Sequence, residues 1–323
     1  MSRKVTRRTF IKQAITGSIA FPLIMPRLNF AQSANGKLQH ACIGVGGMGG
    51  GDMGCLLASG KLDVVAICDV DENNLNQAAA GLPNARKYRD WRELLEKEGD
   101  KIDSVNISTP DHMHAPIAMA AIKKGKHVYC QKPLAHEVYE ARQMTLAARQ
   151  AKVVTQMGIQ IHSHVAYRMA VQMLRDGAIG KVKEWHSWSS APSWPQGGLT
   201  RPEGEDPVPA SLDWDLWIGV APMRPYKTGV YAPFNWRARQ DFGCGAMGDF
   251  GCHIFDPVFT FLKVGAPTSV LAEISGINDE TWPGWEIIHY EFPGTEMTVD
   301  KTIKATWYDG GKQPPRELAQ MPA

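Results

Sequence analysis

Residues 39–69 constrain this chain more than any other stretch. A short apolar run, Ala41-Cys42-Ile43-Gly44-Val45, leads into a glycine cluster, Gly44-Val45-Gly46-Gly47-Met48-Gly49. A second apolar run, residues 62–68, closes on Asp69. The order reads strand, tight turn, helix, strand, acid, which is the arrangement that cradles a dinucleotide. Gly44 permits the turn out of the strand. Gly46 has no Cβ, so the main chain can approach a pyrophosphate, with Gly47 and Met48 beside it. Gly49 lets the helix pack close to the strand. The helix start then offers free N–H groups and the positive end of its dipole to phosphates. Asp69 falls 20 residues after Gly49, where a carboxylate binds a ribose 2′-hydroxyl and repels a 2′-phosphate. The pattern predicts NAD, with NADP as the alternative.

At 323 residues the chain is long enough for two domains. Its net charge of +2 gives no strong pull toward nucleic acid or anionic membranes. Six cysteines form no CxxC pair, which argues against a zinc site or a disulfide framework, and no metal is expected. Cys42, Cys68 and Cys130 fall in apolar runs and read as small buried hydrophobes. Ten tryptophans lie mostly after residue 180. Tryptophan-rich loops suit the apolar faces of sugar rings, and equally suit core packing.

The first 34 residues read as an address. Arg3 and Lys4 open the chain, Arg7-Arg8-Thr9-Phe10-Ile11-Lys12 follows, and an apolar stretch runs from Ala14 to Met25. The stretch is too short and too interrupted by Pro22 and Pro26 to span a bilayer. A basic start, an apolar core and small residues near Ala31 to Ala34 form an export signal, and the paired arginines resemble the twin-arginine type. The expected location is the periplasm, reached through the twin-arginine export machinery. An exported dinucleotide enzyme would load its cofactor before export and hold it tightly.

The pattern then continues as strand and helix alternation. Residues 71–80 read as a helix capped by Asp71. Residues 104–108 form a strand, followed by Thr109-Pro110-Asp111-His112-Met113-His114 at the carboxyl edge of the sheet, where ligands sit. Asp111 is expected to cap the next helix, and Thr109, Pro110 and His114, with His112 a weaker candidate, to line the cofactor site. The strand 127–130 ends in Gln131-Lys132-Pro133. A lysine held at a strand end reaches a nicotinamide or a substrate hydroxyl. Helix 136–151 and strand 153–157 complete a parallel sheet.

From Gly158 the pattern changes. Residues 165–175 read as a helix and 180–188 as a strand. The Pro- and Gly-rich loop 191–210 carries Trp194 and Arg201. A short aromatic helix is expected over 212–219, and residues 234–237 hold Trp236 and Arg237. These four side chains, together with Asp256 further along the chain, are the substrate-binding candidates, with packing as the alternative use of the aromatic segment. Residues 244–262 form a helix in which Asp249 and His253 share one face, with Asp256 near the same stripe. An imidazole titrates near neutral pH, so His253 can take a hydroxyl proton while Asp249 orients the hydroxyl or the ring. Segments 269–277, 285–292 and 297–307 read as antiparallel strands.

Taken together, Gly44-x-Gly46-x-x-Gly49, Thr109-Pro110 with His114, Gly125-Lys126-His127-Val128, Lys132-Pro133 and the segment 248–256 resemble the Gfo/Idh/MocA family of glucose-fructose oxidoreductase and inositol dehydrogenase. The exported twin-arginine branch is the nearest in kind. The resemblance implies an α/β fold: an N-terminal Rossmann doubly wound parallel sheet over 37–158, and a C-terminal α+β domain with an open, mainly antiparallel sheet over 159–323. It implies hydride transfer between NAD(P) and a CH–OH group of a sugar, polyol or glycoside, with Lys132, Asp249 and His253 as the catalytic group. The resemblance also implies that Gln131 contacts the cofactor, although Gln131 departs from the family's usual Glu-Lys-Pro and removes a negative charge beside the lysine. The family implies a homo-oligomer through the C-terminal sheet, and relatives of this branch usually continue beyond the point where this chain stops, which leaves a C-terminally truncated product as one open alternative. Two rival readings remain: a glycosidase of the same family that oxidises transiently and eliminates, and a non-catalytic sugar-binding homologue.

Overall fold

The computed structural model describes residues 36–190, 192 and 194–319. The export-signal expectation falls on residues 1–34, outside the described residues. Among the described residues no helix is long and apolar enough to cross a membrane.

The first layer is a six-stranded parallel sheet. Its strands are β1 (Leu38–Ile43), β2 (Leu62–Cys68), β3 (Arg86–Tyr88), β4 (Ser104–Ile107), β5 (His127–Gln131) and β6 (Thr155–Gly158), in the spatial order β3-β2-β1-β4-β5-β6. The order reverses between β1 and β4, which is the switch point where ligands bind in doubly wound sheets. Residues of the inner strands β1, β2 and β4 bury on both faces, as a parallel sheet covered by helices requires, while the edge strands β3 and β6 are largely exposed. Ala41 and Ile43 join Val105, Ile107 and Val128 on one side. Cys42 joins Val64 and Ile67 on the other. The apolar runs in the sequence follow from this two-sided burial.

Helices α1 (Met48–Ala58), α2 (Glu72–Ala80), α3 (Trp91–Glu98), α4 (His114–Lys123) and α5 (Val138–Ala151) cover the sheet. Asp71 caps α2 by accepting the Asn73 N–H. Asp90 does the same for α3 through Arg92. Both short acids relieve orphan N–H groups at a helix start.

The second layer is a four-stranded sheet, order β7-β10-β9-β8, from β7 (Glu184–Trp188), β8 (Ser269–Ile274), β9 (Glu286–Pro293) and β10 (Thr302–Tyr308). β10 runs parallel to β7 and antiparallel to β9. The alternation read over 180–188 yields a strand only from Glu184. The helices here are α6 (Val165–Arg175), the short α7 (Trp214–Ile218), the long α8 (Gly245–Leu262) and α9 (Arg316–Ala319). Phe261 and Leu262 of α8 pack on the sheet with Trp185, Phe292 and Ile303.

Residues 211–243 turn back onto the nucleotide-binding layer. The Glu72 N–H donates to the Ser211 carbonyl at 2.9 Å, and the Asp213 N–H donates to the Val70 carbonyl at 2.9 Å. Val70 packs against the aromatic cluster of Trp214, Trp217, Tyr231, Trp236 and Phe242.

Gly49 is fixed by crowding, because a Cβ there would lie 2.0 Å from the Gly44 carbonyl oxygen, whereas one on Gly54 meets nothing within 4 Å. We expect Gly49→Ala to lower the unfolding free energy by about 1–3 kcal/mol. Gly54→Ala should raise it by about 0.5–1 kcal/mol, since glycine is costly inside a helix. Urea titration of both variants checks the pair.

Candidate active site

The cleft begins at the glycine turn. Gly44 has φ +79°, and a Cβ on it would sit 2.6 Å from the Ser108 carbonyl. Gly47 is the N-cap of α1 with φ 50° and no side-chain cap hydrogen bond. A Cβ on Gly47 would meet nothing within 4 Å, so the helix start faces open space. Met48 beside it is exposed. Gly46 touches a neighbour instead: a Cβ there would meet the Asn74 side chain at 2.4 Å.

Asp69 sits at the carboxyl end of β2 and folds over this turn. Its Oδ2 accepts the N–H groups of Val45 at 2.9 Å and Gly46 at 3.1 Å. Its Oδ1 accepts the Asp71 N–H at 2.9 Å and the Asn74 amide at 3.4 Å. A carboxylate offers about four acceptor positions, so a ribose hydroxyl would compete with the long Asn74 contact. The residues present fit a dinucleotide: an open, uncapped helix start for phosphates and an acid at the ribose position.

The loop after β4 is more deeply buried than its position predicts. His114 sets its Nδ1 2.7 Å from the Pro133 carbonyl and its Nε2 2.8 Å from the Thr109 carbonyl. The ring therefore brackets the loops after β4 and β5, away from solvent. Burial pushes its pKa down, against the pull of the two carbonyls. We take burial to dominate, so a neutral ring donates to one carbonyl at a time. His112 is also buried, with Nε2 at 3.1 Å from the Ile218 carbonyl and 3.3 Å from that of Trp217.

Asp111 corrects the sequence expectation. It starts a 3-10 turn, Asp111–Met113, and the N-cap of α4 is Met113, with no side-chain cap hydrogen bond. Its carboxylate instead accepts the Cys244 N–H at 3.1 Å, at the start of α8. The helix it serves is distant in sequence, and local capping patterns cannot reveal that.

Lys132 and Asp249 meet at 2.8 Å between Nζ and Oδ1, both largely buried. Nζ also donates to the Asp249 carbonyl at 3.3 Å. Arg237 Nε lies 3.4 Å from the same Oδ1. His253 follows one turn along α8, half-buried. Its pKa is lowered from 6.5, first by burial and then by Lys132, with Asp249 and Asp256 opposing. Asp256 binds His162 at 2.8 Å between Oδ2 and Nδ1. His162 was not singled out from sequence, because only the fold brings its loop to α8.

The other expected substrate contacts divide. Arg237 is at the cluster and packs on aromatic rings, its Cζ 4.3 Å from the Trp236 centroid and 4.4 Å from that of Phe234. Trp194 is 4 % exposed and stacks on Phe250 at 5.5 Å; Trp236 is 6 % exposed. Both rings face protein, behind Arg237. Arg201 lies in a separate ion network, 3.0 Å from Glu280, which also binds the buried Arg224 at 2.7 Å and Arg239 at 3.3 Å.

Gln131 is buried and turned inward. Its Nε2 donates to both oxygens of Asp52, at 3.0 and 2.9 Å. Asp52 was missed from sequence, although it is the single acid in the glycine-rich α1.

The fold and this cluster define a two-domain α/β dinucleotide-binding protein. Two models of one family match the chain: an oxidoreductase family NAD-binding Rossmann fold over residues 38–159, and its C-terminal alpha/beta domain over 193–308. The chain belongs to this family, Gfo/Idh/MocA. It is similar to a levoglucosan dehydrogenase of Pseudarthrobacter phenanthrenivorans, 27% identical over 52% of this chain and 34% of the relative. It is also similar to a glycosyl hydrolase family 109 protein of Shewanella pealeana, 29% identical over 53% of this chain and 38% of the relative. The matched stretch thus spans about a third of each curated relative's length. The WlbA dehydrogenase of Bordetella pertussis, solved with NADH and UDP-GlcNAcA, shares the fold with a TM-score of 0.61 at 17% identity, over 87% of this chain and 74% of that one.

Asp111 yields a pH prediction. Burial, then the Asp249 charge, raise its pKa from 3.8 to about 7. The folded state therefore holds this proton more tightly than the unfolded state, and stability from this group is lost as pH rises from about 4 to 7. An asparagine keeps an acceptor for the Cys244 N–H and does not titrate. Asp111→Asn should gain stability relative to wild type as pH rises through that window, measured by thermal melts at pH 5 and pH 8.

Proposed function

We propose that the chain is an NAD-dependent oxidoreductase acting on a CH–OH group of a sugar, polyol or glycoside. The carrying observation is the 2.8 Å Lys132–Asp249 pair at the carboxyl edge of the dinucleotide-binding sheet, with His253 one turn further on. Bound NAD supplies the hydride acceptor or donor. The Gly44–Gly49 turn and the start of α1 hold the phosphates, and Asp69 favours a ribose 2′-hydroxyl over a 2′-phosphate. Lys132 holds the reacting hydroxyl through Nζ. Asp249 fixes Nζ, and Arg237 shares the Asp249 charge. A ring nitrogen of His253 takes the hydroxyl proton as hydride leaves the carbon.

The relatives support the substrate class. One is named for a dehydrogenase of an anhydrosugar. A second reading, glycoside cleavage through transient oxidation and elimination, is favoured by the relative named as a glycosyl hydrolase. The two readings separate on mixing purified protein and NAD with a panel of sugars and glycosides. NADH absorbance accumulating without cleavage supports the oxidoreductase, and cleavage without accumulation supports the second reading. Neither outcome with any member of the panel removes both.

Two results follow. His253→Asn should lower kcat on the order of 10²- to 10⁴-fold, the range of a lost proton-transfer group, and Lys132→Met on the order of 10²- to 10³-fold, the range of a lost donor to the developing oxyanion. A base must be unprotonated to act, and the His253 pKa lies below 6.5. The acid limb of the kcat/KM profile should therefore fall below pH 6.5 and disappear in His253→Asn.

A further inference from the structure

We propose that Asp52 and Gln131 form a matched acid–amide pair that fixes the main chain of Lys132, which makes Asp52 a positioning residue of the site. The positioning role rests on the reading that Lys132 acts on substrate; the pair itself does not.

Asp52 lies on α1, the helix whose start faces the phosphate position, and is 8 % exposed. A buried carboxylate needs hydrogen bonds to stay in place. The donors here are neutral. Ser108 Oγ donates to Oδ2 at 2.7 Å, and Gln131 Nε2 donates to both oxygens. Gln131, 4 % exposed, has its amide direction fixed by this: the nitrogen must face the acid. Its Oε1 then turns to the following residue and accepts the Lys132 N–H at 3.1 Å. Position 131 must donate with one atom and accept with the other, which an amide does and a carboxylate does not. A glutamate in place of Gln131 would set two carboxylates face to face.

The pair is embedded rather than isolated. Asn106 Nδ2 donates to Ser108 Oγ at 3.2 Å, and His40 Nε2 lies 3.3 Å from Asn106 Oδ1. Gly158 leaves the necessary room, since a Cβ there would meet the Gln131 amide carbon at 3.0 Å. The network thus joins α1, the end of β4 and the end of β5. One of these faces the phosphates and another carries the lysine, so their separation is set by hydrogen bonds, not by loop lengths.

Interchanging the two functional groups tests this. The double variant Asp52→Asn/Gln131→Glu keeps one donor–acceptor contact between the two side chains, at the Oδ1 position, together with the Ser108 and Lys132 contacts, and gives up the second Gln131–Asp52 contact. The amide introduced on α1 donates to the carboxylate introduced at the end of β5, and that carboxylate still accepts the Lys132 N–H. Hydrogen exchange of the segment 129–132 is measured, well below the melting temperature, in wild type, Asp52→Ala, Gln131→Glu and the double variant. Exchange at Lys132 should quicken about tenfold or more in each single variant and return to within about threefold of wild type in the double variant. Unchanged exchange in both single variants overturns the pair, as does a double variant no better than Gln131→Glu. In turnover, Asp52→Ala should lose kcat on the order of 10- to 100-fold with the sugar KM within about threefold, and the double variant should recover kcat. A loss confined to KM overturns the positioning role. If the wild type oxidises no sugar, the enzymatic reading and the positioning role fall together, while the exchange measurements still decide the pair.

Discussion

The contact on which the site depends is the ion pair between Lys132 and Asp249, because it joins the two layers of the molecule. The lysine comes from the end of β5 and the acid from the first half of α8. Neither charge is well hydrated, so each needs the other. Removing one partner of a buried pair leaves an uncompensated charge, at a cost of about 3–5 kcal/mol. Arg237 and Asp111 extend the pair to two bases and two acids. The raised pKa of Asp111, about 7, leaves that acid partly protonated near neutrality.

Rigid elements deliver these groups. His114 fastens the loop after β4 to the loop after β5, and Asp111 fastens the first of these to the start of α8. The aromatic cluster around Trp214 and Trp217 holds the returning segment 211–243 against the nucleotide-binding layer. Much of the tryptophan content serves this packing. Trp194 and Trp236 stand behind Arg237 as a wall that fixes its guanidinium. An arginine held on aromatic faces loses little further freedom on meeting a ligand.

Much of the fold was legible because its signals are local. Two-sided burial writes short apolar runs at the carboxyl ends of β1 and β2, over residues 41–43 and 64–68. Gly49 is fixed by the Gly44 carbonyl within the same turn and Gly44 by its positive φ, and Asp71 caps the helix that begins beside it. The four-residue spacing of Asp249 and His253 fixes a shared helix face. Signals that depend on distant partners were not legible. Asp111 resembles a local cap and binds a helix over a hundred residues away. Asp52 carries no motif. His162 gains meaning only when its turn is placed against Asp256.

The sequence by itself determined the dinucleotide-binding sheet, the strand-end position of Lys132 and the helical stripe of Asp249 and His253. These are matters of periodicity and steric limits within a few residues. Only the tertiary structure decided that Lys132 and Asp249 touch, that Gln131 faces an acid, and that the indole rings of Trp194 and Trp236 face protein. Hydrogen bonds and ion pairs act over about 3 Å, and which groups come that close is fixed by how the layers pack.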